Sequence, residues 1–182
     1  MAKLIIVGGS PATGKSTVAR KLSKRTGFVR VSMDEIKEAL FDVVGYRDRT
    51  WSRQVGKAAW PVFKRFVHLH LDCGENVVAD ATFLWPTDGA WVSALAESHG
   101  VDLYQVWMTA DPRVVRDRFI HRANTIRHPG HNDALEHVLE EFEQRFFNRS
   151  FIPMPIESKT LIVDTTEGKQ ANVDEILEFI GE

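Results

Sequence analysis

The 182-residue sequence holds a single cysteine, Cys73. That scarcity excludes a disulfide framework and suits a reducing cytosol. Long apolar runs are missing as well. No stretch approaches the ~20 residues that span a bilayer, and the first apolar run, residues 4–7, is too short for the core of a secretory leader. Charge of one sign is equally scarce: 23 Lys and Arg against 25 Asp and Glu leave a formal net charge of -2. No global positive field therefore exists to hold nucleic acid or an anionic membrane. Internal repeats and linker-like stretches are absent. With 43% hydrophobic and 26% charged residues, the composition excludes disorder, and the length suits one domain, 1–182, with a sizeable core. The expectation is a cytoplasmic, single-domain protein with no membrane contact.

What is present is an alternation of short apolar runs and helical patterns. Strands are predicted over 4–7, 28–31, 76–79, 102–108 and 161–163. Helices are predicted over 15–25, closed by Gly27, and after the capping-box residues Ser32 and Glu35. Further helices run from Pro86 to Gly100, from the Asp111-Pro112 cap to about Arg122, from the cap at Asp133 and Glu136, and over 173–180. Residues 52–71 are helical in pattern but contain Pro61, which predicts a kink or break. Short buried strands alternating with helices imply a parallel α/β sheet covered on both faces.

Gly9, Ser10, Pro11, Ala12, Thr13, Gly14, Lys15 and Ser16 satisfy G-x-x-x-x-G-K-[ST], directly after a predicted strand and before a predicted helix. Glycines let the backbone curl so that successive N–H groups face phosphate oxygens, and the helix N-terminus adds its dipole. Lys15 is placed to reach the β/γ-phosphates and Ser16 to ligate Mg²⁺, with Thr17 completing the nucleotide site. The Asn-Lys-x-Asp guanine signature is absent, and the third strand ends in the single acid Asp80 rather than the two adjacent acids usual in motor ATPases. Asp34 follows the second strand, expected to lie beside the first, so its carboxylate is placed to orient a hydroxyl nucleophile and take its proton. The plainer reading makes it an acid in a helix's first turn. Arg118 and Arg122 share a helix face, with Arg127 beyond. They either clamp a triphosphate from a lid over 113–131 or form a solvated basic face.

In order along the chain, the phosphate loop, 31–37 (VSMDEIK), 77–82 (VVADAT) and 117–122 (DRFIHR) resemble the small P-loop phosphotransferases. These include polynucleotide 5′-hydroxyl kinase, chloramphenicol phosphotransferase and zeta-toxin-like kinases. The resemblance spans nearly the whole chain. It implies a nucleoside-monophosphate-kinase-like P-loop NTPase: a five-stranded parallel sheet, helices on both faces, a helical lid, and use of ATP and Mg²⁺. It also implies roles: Asp34 as the acceptor-activating base, Arg118 and Arg122 as lid arginines, one near adenine and one on the phosphates. Asp80 then stands near acceptor and metal, and Thr165, in the 163–166 loop, borders the adenine. Lys37 stands where polynucleotide kinase has an arginine gripping the acceptor's phosphate. That departure favours a small-molecule hydroxyl, of a metabolite or antibiotic, over nucleic acid. A nucleotide-gated binding protein is the third reading, against which Asp34 argues.

The remaining features read blandly. His68 and His70 do not share a helix face, and His128 and His131 lack a third spaced ligand, so no zinc site is expected. Trp51, Trp60, Trp85, Trp91 and Trp107 read as core or cleft packing. Residues 44–70 carry six basic residues and one acid, whereas residues 133–182 carry 12 acids and 4 bases. The basic segment either receives an anionic acceptor or is a solvated face.

Overall fold

The computed structural model describes residues 1–133, 136–147, 151–166 and 171–182. Strand β1 (Lys3–Gly9) is followed by α1 (Lys15–Thr26), β2 (Val29–Ser32), α2 (Met33–Val44) and α3 (Arg49–Asp72). Then come β3 (Val77–Asp80), α4 (Pro86–His99), β4 (Asp102–Thr109) and α5 (Pro112–Ala123). A 3₁₀ turn (Pro129–His131), α6 (Glu136–Phe147), β5 (Lys159–Asp164) and α7 (Val173–Ile180) complete the chain. The five strands pair in parallel in the order β2-β3-β1-β4-β5.

Burial on both faces makes β1 the centre of this sheet. Leu4 and Ile6 pack on one side with Phe63, Val67, Leu71, Val92 and Leu95 of α3 and α4. Ile5 and Val7 pack on the other with Val18, Leu22, Ile176 and Ile180 of α1 and α7. Strand alternation sends successive side chains to opposite layers, so a continuous apolar run feeds two cores. A third cluster, Val115, Phe119, Val138 and Phe142, joins α5 to α6.

Three local expectations are corrected. β2 pairs with β3, not with β1; β1 lies between β3 and β4. Asp34 still reaches the phosphate loop's end of the sheet, because Ser32 is in register with Asp80 and Asp80 with Val7. Pro61 does not break its helix: α3 runs 24 residues. Its buried stripe, Ser52, Val55, Ala59, Phe63, Val67 and Leu71, continues past Pro61, which stands on the exposed side where water can serve the freed carbonyl. The Ser32 and Glu35 capping box is not formed either. The Ser32 hydroxyl lies 3.4 Å from Asp80 Oδ2, and Glu35 is drawn to Arg30. The cap expected at Asp133 and Glu136 spans residues 134 and 135, which lie outside the described residues. Among the described residues, no helix is long and apolar enough to cross a membrane.

The first glycine of the phosphate motif is demanded by the sheet. Gly9 has φ +119°, and a Cβ there would sit 2.1 Å from the Met108 carbonyl oxygen on β4. Gly9→Ala should cost about 3 kcal/mol, combining backbone strain with overpacking. That corresponds to a fall in Tm of roughly 6–12 °C for a chain of this size. Thermal unfolding checks it, and a variant melting with the wild type would contradict the close approach.

Candidate active site

Between β1 and α1 the backbone turns on left-handed residues, Ala12 at φ 62° and Gly14 at φ 92°. For alanine that conformation costs about 1–2 kcal/mol, a strain held by its surroundings. The loop is closed from within. Thr13 Oγ1 donates to the Ser10 carbonyl at 2.7 Å, and Lys15 Nζ donates to the same oxygen at 2.6 Å. Thr165 Oγ1 lies 3.2 Å from both the Thr13 and Thr109 carbonyl oxygens, tying the loop to β4. Gly14 gives α1 no side-chain cap. Its first-turn N–H groups are thus left for an anion, which fits a phosphate.

The loop opens onto a cleft of about 500 Å³. Pro11, Ala12, Gly14, Lys15, Ser16 and Thr17 form its floor, and Asp34, Asp80, Arg118 and Arg122 line its walls. Gly9, Ser10, Thr13 and Thr165 do not line it; they are the scaffold beneath. Burial pushes the Lys15 ammonium down to about 8, with Asp80 and Asp34 pulling the other way. Asp80 is buried, and desolvation raises its carboxyl although Lys15 and a hydrogen bond from Ser16 oppose this. A desolvated carboxylate beside a hydroxyl is a donor set that suits a hard divalent cation. Arg118 Nη2 donates to the Thr165 carbonyl at 2.8 Å, and Nη1 lies 3.2 Å from Thr165 Oγ1. The buried Nε of Arg122 has no hydrogen-bond partner. Two of the expected arginines thus face one cleft, one anchored and one with a donor to spare.

The opposite wall is an ion knot that the sequence reasoning missed. Arg127 Nη1 meets Asp34 Oδ2 at 2.7 Å, Nε meets Asp133 Oδ2 at 2.9 Å, and Nη2 meets His131 Nδ1 at 2.9 Å. Because a guanidinium only donates, His131 Nδ1 must accept, so its Nε2 carries the proton and donates to Glu38 at 3.0 Å. Burial lowers the His131 pKa, consistent with that neutral tautomer. Asp34 is 44% exposed at its side chain. Its desolvated surroundings by themselves would raise its pKa, but the charge and hydrogen bond of Arg127, with Lys15, outweigh this and hold it well below the usual carboxylate range. Arg49 donates to the His131 carbonyl at 3.0 Å, and Gly130 sits so close to Phe41 that a Cβ would meet the ring at 2.5 Å. The Asp34 and Glu38 pair, one turn apart on α2, was the available signal that a cation had to come from elsewhere.

None of the five tryptophans lines the cleft; Trp107 is core, and Trp60 stacks on Phe63. Within the basic segment Arg47, Arg53, Lys57 and Arg65 are exposed, whereas Arg49 lines the cleft. Arg53 pairs with Glu141 of α6 at 2.9 Å, and Arg49 lies 3.6 Å from both Asp133 and Glu141. The two oppositely charged stretches of sequence meet each other.

A central β1 feeding a phosphate loop, with a lysine and two arginines over it and a carboxylate opposite, defines the class of P-loop nucleotide-binding proteins. Residues 4–148 match the AAA domain family AAA_33, and the chain belongs to that family, within the small P-loop kinase superfamily its motifs resemble. The structure is similar to a provisionally assigned kinase of Chloroflexus aurantiacus: 31% identity, TM-score 0.87, covering 99% of this chain and 97% of that one. A gluconokinase of Sinorhizobium meliloti (17% identity, TM-score 0.53, 98% and 88% covered) shares the fold. So does an APS kinase of Mycobacterium tuberculosis, solved with AMPPNP and APS (13% identity, TM-score 0.59, 100% and 98% covered). Uncharacterized proteins of Mycobacterium tuberculosis and Mycobacterium bovis are 29% identical over 143 residues, 75% of this chain. The match spans only 28% of the length of those curated relatives.

The buried Lys15 is maintained at the expense of stability. Its pKa, lowered from 10.5 to about 8, means that the unfolded chain binds more protons between those values, so wild-type stability rises with pH across that window. Lys15→Met should therefore stabilise the protein at pH 7 by about 2 kcal/mol, with the gain shrinking as pH climbs from 8 to 10.5. Denaturant unfolding across that range reads it. Destabilisation at pH 7 would show that the Ser10 contact outweighs the desolvation.

Proposed function

We propose that this protein is an ATP-dependent phosphotransferase that moves the γ-phosphate of ATP to a hydroxyl of a small molecule, a metabolite or an antibiotic. One observation carries the reading: Lys15 and Asp34 face a single cleft, close enough to shift each other's titration. A phosphate-binding cation and an acceptor-side carboxylate are the two groups that transfer to an alcohol requires. The kinase-like fold and the AAA_33 match support it.

Bound Mg·ATP supplies the phosphoryl group and a cation to offset its charge. Lys15 and the first turn of α1 hold the phosphates, with Ser16 and Asp80 as the side chains that would hold Mg²⁺. Arg122, with its unused Nε donor, meets charge that develops on transfer, while Arg118, held in place by Thr165, borders the base. Asp34 receives the acceptor hydroxyl, aligns it and takes its proton. Its depressed pKa makes it a weak base while Arg127 is bound. Catalysis therefore requires Arg127 to loosen its hold on Asp34, by shifting toward the phosphates or by lifting of the 113–131 lid. Chain 1–182 acts in this scheme as one catalytic domain in a reducing cytoplasm.

A small acceptor fits better than a polynucleotide. Lys37 and Arg49 line the Asp34 side of the cleft, and Arg53 beside them pairs with Glu141.

Asp34→Asn keeps size and hydrogen bonding but cannot accept a proton. It should retain near-normal Mg·ATP affinity by calorimetry yet lose on the order of 10²–10⁴ in acceptor phosphorylation. A variant that phosphorylates as fast as wild type would reduce Asp34 to a helix-terminus acid and leave nucleotide-gated binding as the better description.

A further inference from the structure

We propose that His68, Asp72 and His99 form a binding site for a first-row divalent transition ion of the zinc type, at the end of the sheet away from the cleft. His68 and Asp72 are one turn apart on α3 and share a face. His99 is the last residue of α4 and meets His68 edge-on, with ring centroids 4.6 Å apart. The ligand atoms of all three residues lie within 4.8 Å of one another. His99 Nε2 and His68 Nδ1 are 3.2 Å apart, and His68 Nδ1 is 3.2 Å from Asp72 Oδ2.

Two features of this cluster point to a cation. The first is spacing: two nitrogens bound tetrahedrally at about 2.0–2.1 Å from zinc stand roughly 3.3–3.4 Å from each other, so little rearrangement separates the observed geometry from coordination. The second is proton supply. A proton on His68 Nδ1 can be directed squarely at one of its two neighbours, not at both, whereas a cation at the centroid satisfies two imidazole lone pairs and the carboxylate together. Two imidazoles with one carboxylate favour Zn²⁺, Ni²⁺ or Co²⁺ over Mg²⁺ and Ca²⁺, which prefer oxygen. The fourth position faces solvent, since His68 and Asp72 are about half exposed while His99 is 11% exposed.

The site's role follows from topology. α3 leads through Gly74 into β3 and α4 through Gly100 into β4, so both helix ends lie at the amino ends of the strands, opposite the phosphate loop. An ion there would clip together the two helices that cover one face of the sheet. It is independent of the phosphotransfer reading, and His70, occupied with Glu75 at 2.5 Å, takes no part.

Chelator-treated, nucleotide-free protein titrated with ZnSO₄ in a calorimeter tests this. One equivalent should bind, and at a hundredfold excess over Kd the Tm should rise by roughly 5 °C or more. His99→Ala and the more exposed Asp72→Asn should each weaken binding at least about tenfold, whereas His70→Ala should bind as wild type. Melting in EDTA confirms that each variant is folded. Cobalt(II) in place of zinc should give the visible absorption of a tetrahedral site, and it should be lost in His99→Ala. No uptake at about 100 µM zinc, or uptake unchanged in both His99→Ala and Asp72→Asn, overturns the site.

Discussion

The loop between β1 and α1 holds a buried ammonium against its own Ser10 carbonyl, and the rest of the site is arranged around that constraint. Lys15 donates to Ser10, Thr13 donates to the same oxygen, and Thr165 braces the loop against β4. Gly9 lets β1 press on Met108 without a side chain between them. Two of these contacts lie within the loop itself and two tie it to β4 and to the end of β5, so the sheet helps to shape the loop.

Both signs of charge meet on each side of the cleft. Lys15, Arg118 and Arg122 stand with Asp80 on the phosphate-loop side, while Asp34, Glu38 and Asp133 gather around Arg127 on the other, beside Lys37 and Arg49. Arg127 belongs to the stretch between α5 and α6 yet is bound to α2, so that connection is fastened across the cleft by charge and by the Gly130 approach to Phe41.

Much of this was legible in the sequence because it is local. The phosphate motif, the strand runs and caps such as Asp111 depend on residues a few positions apart. The misses share a different origin. Nothing in periodicity tells β2 to pair with β3 rather than β1, because strand order is decided by how helices cover the sheet. Ser32 abandons its cap for Asp80, 48 residues away, and Pro61 is tolerated because the buried stripe of α3 outweighs one lost hydrogen bond. Arg127 reads from sequence as a possible phosphate ligand, but two of its three acidic partners, Asp34 and Glu38, lie on α2 about 90 residues away. His68 looked isolated for the same reason: its companion is not His70 but His99, on the next helix.

The proposed transfer requires one cleft both to hold a nucleoside triphosphate and to present a hydroxyl to it. Incubating the protein with γ-labelled ATP and pooled sugars, nucleosides, oligonucleotides, aminoglycosides and phenicols tests this directly. The label should move into an organic phosphate ester of one pool, a small-molecule one, and should stay on ATP when Lys15 is replaced. Label that leaves ATP only as inorganic phosphate, at a rate no pool alters, would contradict it.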